Sequence, residues 1–144
     1  MSNMTLADLS KKIADIDFAM LSTRTSNGAI AARPMSNNGD VEYDGDSFFF
    51  AFDSSHTVQD IQRDSSVGLT FTGAKGILGK PPTFIAIEGH AEIIHDKAAF
   101  EQHWTHDIEH WAKNGADTPG LALIKVHAAR IHYWDGEDQG ELVV

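Results

Sequence analysis

Apolar residues recur at helical spacing near the start of the chain, at Leu6, Leu9, Ile13 and Ile16, with lysines between them. That spacing places them on one face of a helix, and Thr5 followed three residues later by Asp8 supplies a capping pair at its start. A helix over about 5–16 is predicted. The pattern then changes to two apolar-rich runs, residues 17–25 and 29–36, separated by Ser26-Asn27-Gly28. Asn-Gly between such runs signals a β-hairpin. Polar turn residues at 36–40 and 44–46 flank Val41-Glu42-Tyr43, expected to pair briefly, and lead into Ser47-Phe48-Phe49-Phe50-Ala51-Phe52, an aromatic run expected to form a buried strand. Ser54 or Ser55 is placed to cap a short helix reaching about Asp64, with Val58 and Ile61 on one face. Residues 67–72 alternate as a strand, and a Gly-rich mobile loop over 73–80 leads past Pro81-Pro82 to a long strand at 83–95. Asp96 caps a third predicted helix to about Lys113, striped by Phe100, Trp104, Ile108 and Trp111. Two last strands are read at 121–126 and 130–134, followed by an acidic, mobile tail over about 135–144.

Hairpins interrupted by short helices predict a mainly β, α+β architecture: an antiparallel barrel with flanking helices, in one domain over 1–144. Strands and helices do not alternate with equal weight, which argues against a Rossmann or (β/α)8 arrangement. The 42% hydrophobic and 22% charged composition of these 144 residues is that of a globular chain. Twenty-one acidic against 11 basic residues give a formal charge of −10, which argues against nucleic-acid and membrane partners. Without cysteine there is no disulfide, thiolate nucleophile or iron–sulfur ligand. The first residues lack a basic segment followed by an apolar one, and a cytoplasmic location is expected.

Most of the apparent chemical motifs fail on inspection. The 73–81 stretch looks like a phosphate loop, but Ala74 stands where glycine is needed and Pro81 where a hydroxyl is needed. His103, His106 and His110, with Asp107, share one arc of the third predicted helix, yet they lack the His-Glu-x-x-His order. They read as a solvated face, and no metal is assigned. No nucleophile elbow accompanies the serines. One pairing is more promising: Arg33-Pro34-Met35 at the end of a strand, and Ser54-Ser55-His56-Thr57 at a strand-to-helix junction. An arginine, hydroxyls and free N–H groups at a helix start form an anion site, although a surface arginine beside a Ser-capped helix explains the same letters.

In order and spacing, several segments resemble the pyridoxamine 5'-phosphate oxidase-like FMN-binding split barrels, particularly their general stress protein subfamily. They are Phe18-Ala19-Met20-Leu21-Ser22-Thr23 entering Ala32-Arg33-Pro34-Met35; Phe48 through Asp53 followed by Ser55; Asp64-Ser65-Ser66-Val67-Gly68-Leu69-Thr70-Phe71; Ile87-Glu88-Gly89-His90-Ala91; and Ile131-His132-Tyr133-Trp134-Asp135. The resemblance implies a six-stranded antiparallel split β-barrel and a homodimer with FMN sites at the subunit interface. Arg33 would meet the phosphate or ribityl chain, and the backbone of Pro34, Met35 and Ser36 would run along the isoalloxazine. Phe50 and Ala51 would pack near the ring, Ser55, His56 and Thr57 would stand at the phosphate, and the partner subunit's Trp134 would close the groove. Many relatives carry lysine where this chain has Thr57, so a phosphate would find less positive charge and FMN affinity would fall. The expected function is that of an FMN-dependent oxidoreductase acting on a small molecule. The alternatives are a non-enzymatic module for flavin (FAD included), deazaflavin or haem, the last ligated by His56, His90 or His132, and a dimeric scaffold with a degenerate site.

Overall fold

The computed structural model describes residues 4–38, 41–110 and 112–144, and of Asp107 the backbone alone. Helix α1 spans Leu6–Ala14, and its capping box is complete: Thr5 Oγ1 accepts the Asp8 N–H at 3.1 Å while the Asp8 carboxylate accepts the Thr5 N–H at 2.9 Å. Leu9 and Ile13 point into the core. Strands β1 (Phe18–Arg24) and β2 (Ile30–Ser36) form the expected hairpin in full register, from Phe18 opposite Ser36 to Arg24 opposite Ile30. Gly28, at φ +83°, supplies the left-handed residue that its turn requires. After β3 (Asp46–Phe52) come α2 (His56–Arg63), β4 (Ser66–Thr72), β5 (Phe84–Ile94), α3 (Lys97–Gln102), β6 (Leu121–Asp135) and β7 (Asp138–Val143).

All strand pairs are antiparallel, in the order β2-β1-β4-β5-β6-β3, with β7 paired to β6. The sheet curls into a half-barrel with α1 and α2 packed on its core side. Alternation decides which residues are covered: Ala19 and Leu21, Val67, Leu69 and Phe71, Ile85 and Ile87, and Ile131 and Tyr133 share that core with Val58 and Ile61 of α2. A smaller cluster of Phe100, Ile108, Ala112, Leu121 and Leu123 covers the opposite face where β3 and β6 meet. Leu121–Ile124 is therefore buried on both sides, which accounts for its unbroken apolar run.

Four expectations are corrected. Residues 41–43 form no strand; Tyr43 is buried, and its N–H donates to Ser10 Oγ at 2.8 Å. The third helix ends at Gln102, because adjacent His103 and Trp104 both reach β3, one stacked on Phe48 and one edge-on to Phe50. Successive helical residues point about 100° apart and do not meet one surface. A 3-10 turn over His106–His110 follows, while Trp111 of the predicted stripe lies outside the described residues. The two last strands are one, β6, with a bulge where two of its residues oppose one at Glu88/Gly89. A Cβ on Gly89 would collide with the His127 carbonyl, so the strands approach there only because glycine is present. The acidic tail folds back as β7, giving seven strands where six were expected. Tyr133 lies against Gly140 in that pairing, its hydroxyl occupying the space that a side chain would need.

Candidate functional site

The sheet order leaves β2 and β3 as edge strands, with no ladder joining them among the described residues. The barrel is split along this seam, and a cavity of about 260 Å³ occupies it. Pro34, Met35 and Ser36 of β2 line one side, and Ser47 to Phe50 of β3 the other. Tyr43, His103, Thr105 and Ile108 add to the lining from the connecting segments, as do Glu42 and Asp46. The aromatic run thus serves two purposes: Phe49 is buried in the main core, while Phe48 and Phe50 meet the α3 segment. The ring of His103 lies flat on that of Phe48, with centroids 3.7 Å apart at an interplanar angle of 15°. Burial, with Lys125 nearby, holds the His103 imidazole below its ordinary pKa, so it is neutral at neutral pH. Tyr43 is driven the other way by burial and by Asp46 and Asp44, and its phenol stays protonated.

Four of the residues singled out in the sequence meet in this cavity: Pro34, Met35, Ser36 and Phe50. The others stand elsewhere. Ala51 is half-buried further along β3. Ser55 caps α2, its Oγ accepting the Val58 N–H at 3.3 Å, while His56 is exposed and Thr57 is buried on the inner face of that helix. The N–H groups of His56 and Thr57 have no hydrogen-bond partner among the described residues. Trp134 lies on the outer face of the sheet beside His132 and does not line the cavity of its own chain.

Arg33 is turned inward. Its Nη1 donates to the Leu21 carbonyl at 3.2 Å and to Thr23 Oγ1 at 2.8 Å, and Nη2 lies 3.8 Å from Asp60 Oδ2. Thr23 Oγ1 in turn donates to Asp60 at 2.8 Å, and Arg63 donates to the other carboxylate oxygen at 2.8 Å. The Asp60 side chain is only 7% exposed. Burial pushes its pKa up, but the hydrogen bonds from Thr23 and Arg63 and the charges of Arg63 and Arg33 outweigh burial and hold the carboxyl below its usual value.

His103, read from the sequence as part of a solvated histidine face, instead lines the cavity, while Tyr43 and Asp60 were not singled out for the site. His103 sits where a helix was expected, and its approach to Phe48 depends on that helix ending early. Asp60 follows Arg33 by 27 positions with no local pattern to join them, although a carboxylate three residues after Thr57 on the buried helix face is a readable anomaly. No group of three or more metal-ligating side chains occurs among the described residues. His106 and His110 are exposed, and the Asp107 side chain lies outside the described residues.

The model of the pyridoxamine 5'-phosphate oxidase-like family matches residues 5–144. The chain belongs to that family. Among curated protein sequences, none matches it. Of solved structures, the family member from Clostridium acetobutylicum related to general stress protein 26 of Bacillus subtilis superposes with a TM-score of 0.77 at 20% identity, covering 96% of this chain and 94% of the other. General stress protein 26 from Bacillus anthracis gives 0.72 at 21% identity, covering 92% and 93%. A haem-binding protein from Mycobacterium smegmatis gives 0.76 at 15% identity, covering 99% of this chain and 60% of its own. These likenesses establish the split-barrel fold of the family.

The residues present fit a planar ring better than a phosphate. An edge strand with Pro34, the rings of Phe48 and Phe50 and a neutral imidazole line a slot of mixed apolar and polar surface. The anion-binding groups are weaker: Arg33 is engaged, Thr57 is buried, and what remains is the start of α2 with exposed His56.

Proposed function

We propose that this family member is a flavin-binding protein that holds an isoalloxazine ring in the split between β2 and β3. One observation carries the reading: the cavity lies on the seam, and Pro34, Met35, Ser36 and Phe50 all line it. The family is generally flavin-binding, which favours FMN, with FAD or a deazaflavin as related ligands. A bound flavin supplies hydride and electron transfer, and an oxidoreductase role toward a small molecule follows from that chemistry. The chain supplies position and proton partners. Neutral His103 offers a proton acceptor at the ring and the Tyr43 phenol a donor, while Phe48 and Ile108 keep water from one side.

The site would be completed by a second copy. Phe18, Met20, Phe84 and Trp134 are 41–62% exposed on the outer sheet face, two apolar patches with Thr70 and Thr72 of β4 between them and Pro34 at the edge. Pairing of two chains through this face would bury it and bring the partner's Trp134 toward the groove. Haem is the second reading, favoured by His103: it lines the cavity, whereas His56, His90 and His132 do not.

Titration of the purified protein with riboflavin, FMN, FAD and haemin, followed by flavin fluorescence and visible absorption, tests both readings. A flavin is expected to saturate at one per chain. Ser36→Trp, which fills the slot from an exposed edge-strand position, is expected to weaken that binding at least about tenfold without lowering Tm. A Soret shift with haemin and no response to any flavin would replace the flavin reading with the haem one.

A further inference from the structure

The charges around the split bear on what the ligand carries beyond its ring. Seventeen side chains line the cavity, and none among these described residues is Lys or Arg, while Glu42 and Asp46 are both acidic. Lys125, which approaches Asp46, lies 3.9 Å from its carboxylate and 3.9 Å from that of Glu92, so its charge is shared between two acids. Arg33 follows β2 into the lining segment, but its guanidinium is directed under α2. Its charge partner, Asp60, stands five residues beyond the Ser55 cap, about 7.5 Å along the helix axis from that cap. The Leu21 carbonyl, Thr23 and Asp60 thereby keep the guanidinium engaged beneath α2, off the lining of the cavity.

From this arrangement we propose that Asp60 is a specificity-determining residue: by retaining Arg33, it makes the split select a flavin without a terminal phosphate over its phosphorylated form. The inference rests on the flavin reading above and names the ligand class within it. A phosphate monoester carries close to two negative charges at neutral pH. Among the described residues of one chain, the lining offers it Glu42 and Asp46, the latter in contact with His127 and Lys125, and no Lys or Arg, whereas riboflavin presents the same ring and ribityl chain with no charge to place. Thr57 strengthens the effect, because it shares the buried face of α2 with Asp60, and its uncharged side chain leaves Asp60 to Arg33 and Arg63.

Parallel titrations of riboflavin and FMN provide the test, since the two ligands differ only in the phosphate. Riboflavin is expected to bind at least about tenfold more tightly than FMN at low salt, with the ratio shrinking as salt screens the carboxylates. Asp60→Asn, checked for folding by circular dichroism, is expected to lower the riboflavin-to-FMN ratio by about tenfold by releasing Arg33. Glu42→Gln with Asp46→Asn is expected to lower it through the lining acids alone, and an unchanged ratio in folded Asp60→Asn, or in Asp60→Ser should Asp60→Asn fail to fold, would overturn the role of Asp60. Equal affinities, or tighter FMN binding by the unmodified protein, would overturn the inference and leave the flavin reading intact. Absence of binding by either flavin would overturn both.

Discussion

Asp60 is held ionised inside the protein by Thr23, Arg63 and Arg33, and that arrangement makes stability depend on acid in a defined direction. Its folded pKa lies below the ordinary 3.8, so its stabilisation is complete above about pH 4 and is lost as pH falls through the folded value. Replacing it with Asn is expected to cost about 2–4 kcal/mol at pH 7, because Arg33 and Arg63 then share no carboxylate. The melting temperature of the variant should change less than that of the parent below about pH 4, as scanning calorimetry across pH would show. Arg33 stood out in the sequence for its place beside Pro34, but its destination did not. Whether an arginine reaches outward to a ligand or inward to a carboxylate depends on a helix 27 residues away, and only the folded chain brings the two together.

Among the elements, the first hairpin, α1 and α2 were legible because each carries its own local instructions: Thr5 with Asp8, Asn27-Gly28, and Ser55 ahead of a helical face. The later elements depend on contacts that local patterns do not encode. Residues 96–113 have helical spacing throughout, yet the aromatic surface of β3 draws His103 and Trp104 out of the helix. The interruption in apolar alternation after Val126, read as a gap between strands, is a bulge within β6. The acidic tail carries only a short apolar end, Leu142-Val143-Val144, and its pairing as β7 relies on the backbone, on Leu142 packed against the core and on Gly140 lying over Tyr133. The bulge offers a sharp test. Gly89→Ala would drive a methyl group into the His127 carbonyl, with an expected cost of about 3 kcal/mol and a fall in Tm of roughly 10 °C in thermal melts. An unchanged Tm would mean that the two strands are not so closely apposed.

For the molecule as a whole, the split itself was foreseeable only through family resemblance, since no local pattern states which two strands will fail to pair. Once β2 and β3 are left as edges, the proline, the serine and the aromatic run that looked unrelated along the chain face one another across a cavity. The outer face follows from the same topology, because alternation that buries Leu21 and Ile85 exposes Met20 and Phe84. If that face joins two copies, Phe84→Glu with Trp134→Glu should convert a dimer to a monomer in sedimentation equilibrium. A parent protein that already sediments as a monomer would contradict the pairing. A crystal structure of the protein saturated with riboflavin tests flavin binding in the split most directly. Isoalloxazine density is expected in the β2/β3 split, against Pro34–Ser36 on one side and Phe48 and Phe50 on the other; flavin density elsewhere, with the split unchanged, would rule out that site.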